Sequence, residues 1–94
     1  MSNYKITQYS YDKAKKLNLV IKVSNNPLKK IEVYKDDKFI GSIGDSSYMD
    51  YGHYCIVYNK EYADVRRRLY HNRHKKINAD VKYIKQWLAL HLLW

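Results

Sequence analysis

The single cysteine, Cys55, excludes an internal disulfide. A chain this small without such a crosslink suits a reducing compartment. Flanked by Tyr54 and Ile56, the thiol is expected to be a buried apolar group. The opening Met1-Ser2-Asn3-Tyr4-Lys5 lacks the apolar run of a signal peptide. No stretch reaches the roughly 20 apolar residues of a membrane span. Catalytic signatures are also missing: there is no GxSxG, HExxH, P-loop or dinucleotide fingerprint. Gly41-Ser42-Ile43-Gly44-Asp45 contains glycine but not the Lys and Ser or Thr of a phosphate loop. Repeats, linkers and low-complexity tracts are absent. The chain is therefore expected to be non-enzymatic and to need no cofactor. Its 94 residues fit one domain, 1–94, with little spare core for a deep catalytic pocket.

Acidic residues are few, nine against 18 Lys and Arg, for a formal net charge of +9. With 46% hydrophobic residues this is a folded basic domain rather than a charged tail. Such a charge favours nucleic acid, an anionic membrane surface or an acidic protein face.

The first half alternates. Leu19, Ile21 and Val23 point one way, Asn25-Asn26-Pro27 breaks the run, and Ile31 to Tyr34 alternates again. Asp36-Asp37 signals a turn before Phe39 to Ile43. Residues 4–11, with Tyr4, Ile6, Tyr9 and Tyr11, are expected to add a further strand. After Gly44, one of Asp45, Ser46 or Ser47 is expected to cap a helix. Tyr48, Tyr51, Tyr54 or Cys55, Tyr58 and Tyr62 recur at helical spacing and are expected to pack inward, with Gly52 a weak point. Asn59 is the expected N-cap of the next helix, whose inner side would be Tyr62, Val65 and Leu69. Asn78 or Asp80 is the expected start of the last helix, with Val81, Ile84, Leu88 and Leu92 inside. The fold class is α+β: a small antiparallel sheet of three to four strands followed by two to three helices packed on one face. The chain is expected to be β-rich over 4–43 and helical over 47–94.

The strongest functional signal lies between Arg66 and Lys76, where six of eleven residues are Lys or Arg and none is acidic. Residues 60–94 hold nine basic and three acidic groups, or +6; residues 1–59 hold nine and six, or +3. Like charges on one helix repel, and phosphates would relieve them. The bland alternative is a solvated basic face. The expected nucleic-acid-binding residues are Arg67, Arg68, His71, His74 and Lys75, extended by Lys82 and Lys85, with Tyr70 stacking or packing beside them. No groove-reading module is legible, so sequence-specific recognition is not expected. Arg66 and Arg73 project toward the apolar side and are expected to pair with Asp45, Asp50 or Asp64. His71 and His74 share an i, i+3 spacing but lack the further ligands a Zn²⁺ site needs. A metal-dependent nuclease built on Asp45, Asp50 and Glu61 is the weakest of the readings considered. The end of the chain, Trp87 to Trp94, is apolar nearly all round. This supports an alternative function, a protein-interaction module or homo-oligomer meeting its partner through Leu90, Leu93 and Trp94.

Four segments together resemble small basic proteins encoded by large DNA viruses and some tailed phages. They are Gly44-Asp45-Ser46-Ser47-Tyr48-Met49-Asp50-Tyr51, Tyr62 to Tyr70, Arg73-His74-Lys75-Lys76, and Leu92-Leu93-Trp94. The resemblance covers roughly residues 30–94. Members often carry Gly before the last helix, where this chain has Asn78-Ala79-Asp80. The resemblance implies a viral protein in the host cell interior (cytoplasm) or in the virion, not secreted, and a shared fold. It supplies no activity. A minor virion component or an inhibitor of a host protein is the form the alternative would take.

Overall fold

The computed structural model describes residues 4–74 and 85–94. In chain order the elements are α1 (Gln8–Lys16), β1 (Val20–Val23), β2 (Lys29–Lys35), β3 (Lys38–Asp45), α2 (Tyr51–Val57), α3 (Lys60–Arg73) and α4 (Lys85–Leu92). The fold is α+β.

The strands form an antiparallel meander in the order β1-β2-β3. Asp36 and Asp37 both take positive φ, 51° and 65°, in the two-residue turn between β2 and β3. That conformation matches the strand twist and suits Asp. The pairing shifts between Val33, opposite Gly41, and Tyr34, opposite Phe39, so Ile40 lies between two paired positions. Ile21, Ile31, Val33 and Ile43 are all at most 6% exposed, while Val20 and Phe39 face solvent. One side of the sheet is therefore core. α1 lies against β1, α4 against β3, and the two helices touch each other. α2 and α3 pair beside them.

The fourth strand expected within residues 4–11 is not formed; the second half of that segment, from Gln8, belongs to α1. Three local features favour a helix there. The Thr7 hydroxyl caps the first turn by accepting from Ser10 N. Ser10 and Ala14, one turn apart, form its buried side. At the far end Asn18 takes φ 57°, and Leu19 N and Asn18 N donate to the carbonyls of Ala14 and Lys15. These two bonds close a Schellman cap, with Leu19 packed in the core beside Ala14.

The N-cap of α2 is Asp50, whose carboxylate accepts from His53 N. The expected caps, Asp45, Ser46 and Ser47, form a separate turn in which Asp45 Oδ1 accepts from Ser47 N at 2.8 Å. Gly44, at φ 79°, begins that turn. Asn59 caps α3 as expected, accepting from Tyr62 N at 2.7 Å.

The tyrosine stripe is largely not core. Tyr51 is buried, but Tyr48, Tyr58 and Tyr62 are 72%, 58% and 43% exposed. Cys55 is half-buried, not enclosed. α3 is also turned relative to expectation. Its only buried residue is Ala63, and Tyr62, Val65 and Leu69 are each more than 40% exposed. Arg66, Arg67 and Tyr70 are the half-buried groups instead. The small Ala63 lets α3 approach α2 closely, and the flat guanidinium of Arg67 fits over the Tyr51 ring, 4.2 Å from its centroid. The expected starts of the last helix, Asn78 and Asp80, and its expected inner residues Val81 and Ile84 lie outside the described residues. Within it, Leu88 and Leu92 are fully buried as expected.

Gly52 is a packing requirement. A Cβ there would lie 2.4 Å from Thr7 Oγ1 and 2.7 Å from Thr7 Cβ. Helix propensity alone favours Gly52→Ala by about 1 kcal/mol. We expect the opposite sign, a loss of about 1–3 kcal/mol from overpacking, measurable by urea denaturation.

Candidate functional site

The site is assembled on one buried carboxylate. Asp50 is 0% exposed and Lys30 is 3% exposed, with Lys30 Nζ 3.3 Å from Asp50 Oδ2. The Tyr4 hydroxyl donates to the same Oδ2. His53 places Nδ1 2.9 Å from Oδ1. Asp50 thus ties the N-terminal segment, β2 and α2 together. Burial pushes the Asp50 carboxyl up, but Lys30, Tyr4 and His53 outweigh it and hold the group below the usual range. For Lys30 burial wins over the attraction of Asp50, so its ammonium loses a proton more readily than usual. Asp50 is therefore committed to Lys30, and neither Arg66 nor Arg73 reaches it.

Aromatic rings line the space above. Trp94 is 9% exposed. It stacks on Tyr70 at 4.5 Å and 9° and tilts against Tyr54 at 6.0 Å. Its main-chain oxygen accepts from the Tyr9 hydroxyl at 2.9 Å and lies 3.3 Å from His71 Nε2. Leu90 and Leu93 are 7% and 1% exposed. The three residues expected to meet a partner are buried within this chain: β3 and α1 pack on α4, and Tyr54 of α2 and Tyr70 of α3 pack on Trp94.

Two depressions flank Trp94. The first is a recess of about 300 Å³ lined by Tyr9, Lys13, Asp64, Arg67, Arg68, His71 and Trp94. It unites three expected contact residues, Arg67, Arg68 and His71, with Lys13 from α1, which sequence reasoning missed. Arg67 is anchored rather than free. It stacks on Tyr51, lies 3.5 Å from the Tyr9 hydroxyl, and lies 3.5 Å from Asp64, which also binds Lys60 at 2.8 Å. Arg68 is exposed. Burial lowers the Lys13 ammonium, and the charges of Arg67 and Lys16 lower it further. Burial, Lys13 and His71 act on His91 in the same direction. Basic side chains from α3 and α1 thus share this recess with one carboxylate, Asp64.

The second is an open groove of about 530 Å³ between the sheet end, α2, α3 and α4. Arg66, Arg73 and His74 bring basic groups to it, Lys30 lines it, and Tyr48, Tyr54, Tyr70 and Trp94 bring rings. His74 packs on Tyr70 at 4.2 Å. Arg66 lies over Tyr54 at 5.5 Å, and its buried Nε has no hydrogen-bond partner. The expected pairing of Arg66 and Arg73 with acids is not formed among the described residues. The internal ion pairs go to Lys30, Lys60 and Arg67 instead.

Lys85 is exposed at the start of α4, with its stem against Gly41. Lys75 and Lys82 lie outside the described residues. Among the described residues no three His, Cys, Asp or Glu side chains gather as a metal site, and Asp45, Asp50 and Glu61 do not converge. No described helix is long and apolar enough to cross a membrane. The chain matches no protein-family model, and neither curated proteins nor solved structures yield a significant match.

Asp50→Ala strands the Lys30 charge in the core and should cost about 3–5 kcal/mol, with part recovered by adding Lys30→Met. Because the folded-state pKa of Asp50 is lowered, its stabilisation is complete above the unfolded carboxyl value of about 4. It is lost as pH falls through the lower folded value. Urea titrations below pH 5 should show a steeper acid limb for the parent than for Asp50→Asn.

Proposed function

We propose that this chain binds nucleic acid or another polyanion, without catalysis, through the recess between α1 and α3. The observation that carries the reading is the crowding of Lys13, Arg67, Arg68 and His71 in one depression. Mutual repulsion there is a cost in the free protein that anionic oxygens would remove. Arg67, held by Tyr9, Tyr51 and Asp64, presents a pre-ordered guanidinium edge, while Arg68 and Lys13 supply adjustable contacts. Asp64 faces the same recess and keeps Arg67 in place. The resemblance to small viral proteins supports a role with a viral genome or in the virion.

Salt titration of binding to random-sequence DNA and RNA tests this. Affinity should fall steeply with salt. Lys13→Gln with Arg68→Gln should reduce the log–log slope by about 2. An equal charge change at Lys22 and Lys38, outside the recess, should leave the slope unchanged. Absence of binding at low salt sinks the reading.

A second reading, self-association, is favoured by the outer side of α3, where Tyr62, Val65 and Leu69 stay exposed beside Tyr58 at the end of α2. The fitting occupant is a second copy of this chain. Two α3 helices crossing antiparallel at Val65 would set Glu61 of each beside Arg68 of the other. Sedimentation should then show a dimer that Val65→Asp disperses; a monomer at high concentration discards this reading.

A further inference from the structure

We propose that the second groove, beyond Trp94 from the recess, holds an unpaired nucleotide of a single-stranded nucleic acid. Its base would lie toward Tyr48 and its phosphate toward Arg66 and Arg73. The inference rests on the polyanion reading and adds a strand preference to it.

Three features carry it. At about 530 Å³ the groove is within the range of small-ligand sites, roughly 300–1,000 Å³. Its aromatic lining is not all spent on the core. Tyr48 is 72% exposed at the groove and has no ring partner among the described residues, whereas Tyr54 and Tyr70 both pack on Trp94. An exposed flat ring beside cations is what an unpaired base stacks on. Finally, Arg66 carries a buried Nε with no acceptor. Such an unmet donor is uncommon in a folded chain, and Arg66 lines the groove without a carboxylate partner among the described residues, so its guanidinium is suited to pair with a phosphate.

The groove is also polarised. Asp45 lines the end that holds Tyr48, and Arg66 and Arg73 lie on α3. A carboxylate repels phosphate but accepts from base N–H groups, the N3–H of thymine among them. That sets the base toward Asp45 and Tyr48 and the phosphate toward α3. Bases in a duplex are already stacked and paired, so only a single strand offers a free face. Lys30 contributes its stem to the wall while its ammonium stays on Asp50.

The test uses the full chain and three fluorescent probes in anisotropy titrations. These are an oligothymidylate of about eight nucleotides, within the site sizes typical of single-strand binders, an abasic strand of equal charge, and a duplex of equal charge. The parent should prefer oligothymidylate to the abasic strand. Tyr48→Ala should weaken oligothymidylate binding about tenfold, leave the abasic strand and the duplex unchanged, and be rescued by Tyr48→Phe. Tyr48 lies in an exposed loop, so its loss should not unfold the protein. Arg73→Gln should weaken both single strands. Equal affinity for oligothymidylate and the abasic strand, or indifference to Tyr48→Ala, overturns the groove site while salt-dependent binding still upholds the recess. No binding of any probe at low salt overturns both. A Tyr48-dependent preference for heparin or a poly-glutamate peptide over every nucleic acid overturns the nucleotide assignment.

Discussion

The Lys30–Asp50 ion pair is the constraint on which the rest of the architecture turns. A carboxylate and an ammonium withdrawn from water this completely are costly unless each lone pair and proton has a partner. Asp50 has them: Lys30, Tyr4, His53 Nδ1 and the first turn of α2. One residue therefore fixes the start of α2 relative to the sheet and draws in the N-terminal segment. That segment brings Thr7 down onto Gly52. The capping residue of α1 and the glycine of α2 are then in contact, and α1 has its place.

The orientation of α3 follows from aromatic packing around that frame. Tyr51, the first residue after Asp50, tilts against Tyr9 at 4.6 Å and carries the Arg67 guanidinium over its ring. Trp94 takes Tyr70. With Arg67 and Tyr70 inside, the helix cannot also bury Tyr62, Val65 and Leu69. The basic residues are divided as a consequence. Arg67, Arg68 and His71 go to the recess on one side of Trp94; Arg66, Arg73 and His74 go to the groove on the other. A helix that reads as one charged surface becomes the wall between two depressions of different chemistry.

Much of the sheet was legible because Leu19, Ile21 and Val23, and then Ile31 and Val33, alternate mostly with polar residues, and Asp36-Asp37 is a turn signal. α1 was not, because its cues are caps: Thr7 at one end and Asn18 in a left-handed conformation at the other. Both are ordinary polar residues until the chain bends around them. Asn59 was legible as a cap, while Asp50 was passed over for Asp45, Ser46 and Ser47, which are closer to the glycine. The inner side of α3 was misplaced because apolar periodicity treats Arg as outward. A guanidinium over a tyrosine ring is satisfied while half-buried. The groove was hidden for the same reason, since Lys30, Tyr48, Arg66 and Tyr70 are far apart in the chain.

By itself the sequence determined the excess of positive charge, its concentration after Arg66, the meander and the position of Asn59 as a helix start. These are local or additive properties, and neighbours in the chain suffice to set them. Only the tertiary structure decided which arginines meet solvent, that Lys30 rather than Arg66 neutralises Asp50, and that Leu90, Leu93 and Trp94 are core. Those outcomes depend on competition for a few partners among groups distant in sequence. Burial energies and ring geometry settle that competition, and no spacing rule along the chain encodes them.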